Sequence, residues 1–177
     1  MRVAVAVSGR GSNLEALLDS LGITTEQLGQ MLETMGLSPR ANKNKEGKIL
    51  GYYVEQTVKA GKANFYFTVS GTGSETTVWV DTNVAVFGDQ NPATVSMLTG
   101  LLAEQDNLWP AYFVYYPKTK ILQLAMPLQN ANPTAAMIRK TMDDFAAKCN
   151  TVLDVLAKEM DKEKAKADEN KEKGSQK

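Results

Sequence analysis

Two hydrophobic periods alternate along this chain, and each change of period marks a new element. Leu14, Leu17, Leu18 and Leu21 recur at the spacing of one buried helix face. Ser12 and Glu15 in front of them form a capping-box signature, and Gly22 is suited to stop that helix. A second box, Thr24 with Gln27, opens the same stripe again at Leu28, Met31, Leu32 and Met35, which Gly36 ends. Pro39 to Lys48 is polar and reads as a loop.

The period then drops to two. Tyr52, Val54, Gln56 and Val58 alternate with Tyr53, Glu55 and Thr57. Ala63, Phe65, Phe67 and Val69 share one face, as do Thr76, Val78 and Val80, and these runs predict a three-stranded antiparallel meander with one wet face. Asn91-Pro92 signals a central helix with an apolar stripe of Val95, Leu98, Leu101 and Leu102 and with Met97 at its edge. Two strands follow Pro110, turning at Pro117 to Lys120. Asn132-Pro133 starts a long last helix on Ile138, Met142, Phe145, Cys149, Val152 and Leu156, in steps of four and three.

This order predicts an α+β domain, α-βββ-α-ββ-α, with the meander and the hairpin in one antiparallel sheet flanked by helices. The expected division is a leader over 1–22, a single domain over 23–160, and a charged tail over 161–177 that is either solvated helix or disordered.

Composition narrows the function. Hydrophobic residues make up 43% of the 177 positions, enough for one real core. Basic and acidic residues number 20 each, which removes the usual electrostatic case for nucleic acid or a polybasic membrane contact. No apolar run approaches the ~20 residues needed to span a bilayer, and the expected location is the cytoplasm. Histidine is absent, so no imidazole base, triad or histidine metal site exists. The single cysteine, Cys149, falls in step with Phe145 and Val152 and reads as core. Asp143 and Asp144 are helix neighbours that point apart, which suits a solvated face better than a carboxylate pair. No cofactor, metal or catalytic residue is expected. The strand aromatics Trp79, Tyr52, Tyr53, Tyr66, Tyr112, Tyr115 and Tyr116 read mainly as core or cross-strand pairs; any that face outward would form a peptide-binding surface.

The opening stretch, Ser8-Gly9-Arg10-Gly11-Ser12-Asn13-Leu14 after the short apolar run Val3 to Val7, resembles the start of the glycinamide ribonucleotide formyltransferases. That resemblance implies an anion site at Gly9, Gly11, Ser12 and Asn13, where backbone amides at a helix start cradle a phosphate. It stops near Asp19, and formyl transfer in that family needs a histidine this chain lacks. The leader reads as a segment acquired without its function, by fusion, expression design or a misread start. The alternative is a phosphometabolite-binding protein, or a degenerate formyltransferase-like one, that uses the Ser8 to Asn13 loop.

From about Thr24 to Met160 the element order resembles the type III secretion chaperone fold, and within it the YbjN-like bacterial proteins. The features carrying this are Met35-Gly36, Val78-Trp79-Val80, Leu101-Leu102, Phe113-Val114-Tyr115, Leu122-Gln123-Leu124 and the long final helix. The resemblance implies a non-enzymatic homodimer that binds a protein or peptide client. Met97, Leu101, Phe113 and Tyr115 would lie near its twofold or its partner. Secretion chaperones are usually acidic, and this chain is neutral, which favours the YbjN-like side.

Overall fold

The computed structural model describes residues 22–70, 77–88 and 92–175. The leader motif, its capping box and the proposed anion loop at Gly9, Gly11, Ser12 and Asn13 lie outside the described residues. Helix α1 spans Thr25–Thr34; β1 is Arg40–Lys43, β2 Ile49–Val58, β3 Gly61–Ser70 and β4 Thr77–Val86. Helix α2 is Val95–Ala103, the single turn α3 is Gln105–Leu108, β5 is Tyr112–Tyr116, β6 is Ile121–Gln129, and α4 runs Ala135–Ser175. The architecture is α+β: six strands form one antiparallel sheet in the order β1-β2-β3-β4-β6-β5, with helices packed on it.

The caps decide where the helices begin. Thr24 accepts from the Gln27 amide at 3.2 Å while the Gln27 side chain accepts from the Thr24 amide at 2.8 Å, which is the expected box. Each Asn-Pro signal is displaced. Thr94 caps α2 by accepting from the Met97 amide, and Thr134 does the same for Met137, so both helices start after the proline rather than on it.

One face of the sheet is buried. Tyr52, Val54 and Val58 of β2, Phe65 and Phe67 of β3, Val78 and Val80 of β4, and Leu122, Leu124 and Met126 of β6 alternate into it. Leu28 and Leu32 of α1 are fully buried, and α1 packs on β2 and β3. The α4 stripe is buried from Ile138 to Leu156 at every expected position, and its Phe145 ring meets Phe65 edge-on at 4.9 Å. Side-chain bonds tie the ends together. Asn130 clasps the Ile23 backbone on both sides, Arg139 donates to the Met35 carbonyl, and Asn150 accepts from the Lys59 amide at the β2–β3 turn.

Three expectations change. The polar segment read as a loop contains edge strand β1, paired from Arg40 opposite Tyr53 to Lys43 opposite Ile49. Of the two forms expected after Met160, the helical one is present, because α4 continues unbroken to Ser175. The α2 stripe is rotated: Met97 and Leu101 point inward, while Val95 and Leu102 are exposed. No helix among the described residues is long and apolar enough to cross a membrane.

Candidate functional site

Helix α2 carries more apolar surface than the monomer covers. Met97 and Leu101, one turn apart, face α4 and are 3% and 2% exposed. Val95, Leu98 and Leu102 form a second stripe on another side of the same helix; Val95 is 81% exposed, Leu102 67%, and Leu98 lies half-buried. A helix that is apolar on both sides is normally covered on both sides.

The orientation of α2 is set by a polar contact with α4. Continuing the four-three steps of α4 beyond Leu156 lands on Glu159. Its carboxylate accepts from the Ser96 hydroxyl at 2.8 Å and from Lys162 at 2.5 Å. Gly100 makes room for it, since a Cβ there would stand 3.2 Å from Glu159 Cγ. The bonds from Lys162 and Ser96 hold the Glu159 carboxyl below its ordinary value.

Strand β5 lies at the sheet edge and pairs only with β6. Its five residues, Tyr112 to Tyr116, carry no charge, so nothing on this strand discourages pairing with another chain. Phe113 and Tyr115 stand on the helix side, and the Tyr115 ring meets buried Phe87 at 6.1 Å. With Leu98, Leu101, Leu102 and Leu122 they line an apolar groove of about 220 Å³ between α2 and the sheet. Three of the four residues singled out from the sequence, Leu101, Phe113 and Tyr115, therefore meet in one groove. Met97 does not; it belongs to the core. Leu98 and Leu102, expected on the inner stripe, lie on the other side of α2 from Met97 and Leu101, the side that the Ser96–Glu159 contact leaves away from the core.

Among the described residues, no helix packs over the opposite face of the sheet. A single row there takes one residue from every strand: Arg40, Tyr53, Tyr66, Asp81, Ala125 and Tyr112, each directly across from the next. Tyr53 and Tyr66 stack at 4.5 Å, and Trp79 meets Tyr112 edge-on at 5.8 Å. Arg40 donates to the Asn64 side chain, Asn42 to the Tyr66 hydroxyl, and Gln123 to Asp81 at 2.8 Å. Burial pushes the Asp81 carboxyl up to about 6, and burial first, with neighbouring tyrosines and the Asp81 charge after it, raises the Tyr53 and Tyr112 phenols.

Beside this row the sheet opens. The β3–β4 ladder ends at Tyr66 and Asp81; before Tyr66, β3 pairs with β2 alone, and after Asp81, β4 pairs with β6 alone. The Thr82 hydroxyl, donating to the Asn64 carbonyl, bridges the parting strands in that stretch. The cleft so formed has a volume of about 800 Å³; Tyr53, Asn64, Asn83 and Gln123 are among its polar lining, and Val58, Val84, Cys149 and Leu153 among its apolar lining.

Bond-breaking chemistry finds little support in these groups. Cys149 is buried, and burial raises its thiol to about 12, which removes the thiolate a nucleophile needs. Asp143 and Asp144 are both exposed, and Asp144 pairs with Lys148 at 3.4 Å. Among the described residues no group of three His, Cys, Asp or Glu is placed to hold a metal. What both faces offer is apolar and aromatic surface.

No family model and no curated protein matches this sequence. Among solved structures, the chain matches one described as the structure of the HopA1–SchA chaperone–effector complex, at 11% identity and a TM-score of 0.42, over 83% of this chain and 99% of that one.

Proposed function

We propose that this protein is a non-enzymatic, cytoplasmic protein-binding module that acts as a homodimer. A second copy covers the outer stripe of α2 and the free edge of β5, and the open face of the sheet is left for a partner segment. The observation that carries this reading is the second apolar stripe of α2, with Val95, Leu98 and Leu102 lying beside an uncharged edge strand. Folding the monomer leaves that stripe in water, where burial of each large side chain is worth about 1.5–3 kcal/mol. A twofold contact suits the patch, because an uncharged stripe and an antiparallel strand edge are each self-complementary. The formal net charge of zero adds no long-range repulsion between copies.

Solution mass by size exclusion with light scattering tests the proposal. The expected result is a dimer for the wild type and a folded monomer for Leu102→Glu, whose melting temperature no longer rises with protein concentration. A wild-type monomer at high micromolar concentration would remove the homodimer. A Leu102→Glu dimer would move the contact to another face.

A further inference from the structure

We propose that the open face of the sheet seats a lysine or arginine side chain of an extended partner segment, with its cationic head against Asp81 and its stem along the stacked rings of Tyr66 and Tyr53. The inference rests on the protein-binding reading above and names the chemistry of the partner. Its geometry is the row that crosses all six strands. Asp81 stands between Tyr66 on one side and Ala125 on the other, with Tyr53 one strand beyond Tyr66 and Tyr112 one strand beyond Ala125. Ala125, the small residue between Asp81 and Tyr112, is buried beside the Trp79–Tyr112 pair, which bounds the site on that side.

Charge is the second part of the argument. Asp81 accepts from Gln123, a neutral donor, and no ion pair joins it to a cation among the described residues. Neither cation at the cleft is paired with Asp81: Arg40 reaches across β2 to donate to the Asn64 side chain, and Lys62 pairs with Glu55. A half-buried carboxylate without a counterion costs folding free energy, and an asparagine would accept the same Gln123 bond without that cost. Aromatic faces around such a carboxylate attract a cation through the ring quadrupole and disfavour an anion, so the two kinds of group agree on the ligand's charge.

The size of the site favours a chain segment over a free amine. An ammonium group fills a small part of the adjoining cleft of about 800 Å³. The remainder offers amides at Asn64 and Asn83 for a peptide backbone, and Val58, Val84 and Leu153 for a neighbouring apolar side chain. Backbone bonds with side-chain pockets are the usual terms on which an extended segment is held by a sheet.

The test uses the full chain and three acetylated, amidated pentapeptides, Thr-Val-X-Val-Thr with X as lysine, norleucine or glutamate, followed by titration calorimetry and by amide shifts of the labelled protein. The lysine peptide should bind about tenfold more tightly than the norleucine peptide, with shifts centred on Tyr53, Tyr66, Asp81 and Tyr112, and the glutamate peptide should bind most weakly. Asp81→Asn should abolish the preference between lysine and norleucine, and Tyr53→Leu should weaken it while leaving the carboxylate in place. Equal binding of the three peptides, or a lysine preference that survives Asp81→Asn, would overturn the inference. So would n-butylammonium binding as tightly as the lysine peptide, because the segment would then contribute nothing. The monomeric Leu102→Glu protein should keep the lysine preference, because its substitution is on the other side of the sheet. A wild-type monomer that still shows the preference would therefore overturn only the homodimer, and a wild-type dimer without it would overturn only the cation site.

Discussion

The Ser96 hydroxyl of α2 donates to the Glu159 carboxylate of α4 at 2.8 Å, in a notch that Gly100 leaves open. This pair decides which side of α2 meets the core. It sits where the α4 stripe has run out of apolar residues, and it turns Met97 and Leu101 inward and Leu102 outward.

Replacing Glu159 with glutamine should lower the melting temperature at neutral pH and have little effect in acid. The native carboxyl titrates below its unfolded value of 4.5, so ionisation favours the folded state. That contribution is complete above the unfolded pKa and fades as the pH falls through the folded one. Melting curves of wild type and variant against pH should differ above 4.5 and converge as the pH falls from there through the lower value of the native carboxyl. Gly100→Val, which forces a side chain against Glu159, should cost about 1–3 kcal/mol by overpacking.

Asp81→Asn should make the free protein more stable at pH 7. The native carboxyl titrates at about 6 against an ordinary 3.8, so between those values the folded state holds the extra proton and stability falls as pH rises. Above pH 6 the wild type carries the whole penalty. Discounted for solvent screening of a partly exposed group, the gain is on the order of 1 kcal/mol. Denaturant melts at pH 4 and pH 8 should show the gain only at the higher pH. A variant that is more stable yet loses the lysine preference would have the signature of a charge retained for binding.

Leu101 and Leu102 are chain neighbours with opposite roles. Leu101→Ala removes a core side chain and should cost about 2–5 kcal/mol in denaturant melts. Leu102→Ala should change the monomer's stability by less than about 0.5 kcal/mol and act on assembly instead. Equal effects on stability would mean that the outer stripe is already covered within the monomer.

Cys149 should resist thiol reagents in the native protein. The side chain is 1% exposed and its thiol is raised to about 12, so thiolate is scarce at neutral pH. Labelling by an aromatic disulfide reagent should be complete in denaturant and, without it, should proceed at the rate of unfolding. Rapid native labelling would mean that the cleft beside β3 and β4, which Cys149 helps to line, admits the reagent.

Much of the fold was legible because local period reports local geometry. The buried positions of α4 follow the sequence spacing without exception, since a long helix with a single apolar face has one way to lie on a sheet. The α1 cap and stripe behave likewise. Helix α2 was misjudged for a physical reason: apolar residues surround it, so periodicity alone cannot choose the inner face. Strand β1 went unread because Arg40, Ala41, Asn42 and Lys43 show no alternation. The strand is held from outside itself, by the β2 ladder and by the side-chain bonds of Arg40 to Asn64 and Asn42 to Tyr66.

The candidate sites divide along the same line. Sequence by itself determined the α+β class, the excess apolar surface around residues 95–116, the inert Cys149 and the absence of imidazole chemistry, because each follows from residue type and near-neighbour spacing. Only the tertiary structure decided that Leu98 and Leu102 face outward, that β5 is an edge, and that Arg40, Tyr53, Tyr66, Asp81, Ala125 and Tyr112 form one row. Strand order is a property of packing: the β5–β6 hairpin joins the sheet through β6, and that choice carries Tyr112 to the same row as Asp81, where no local pattern could have put it.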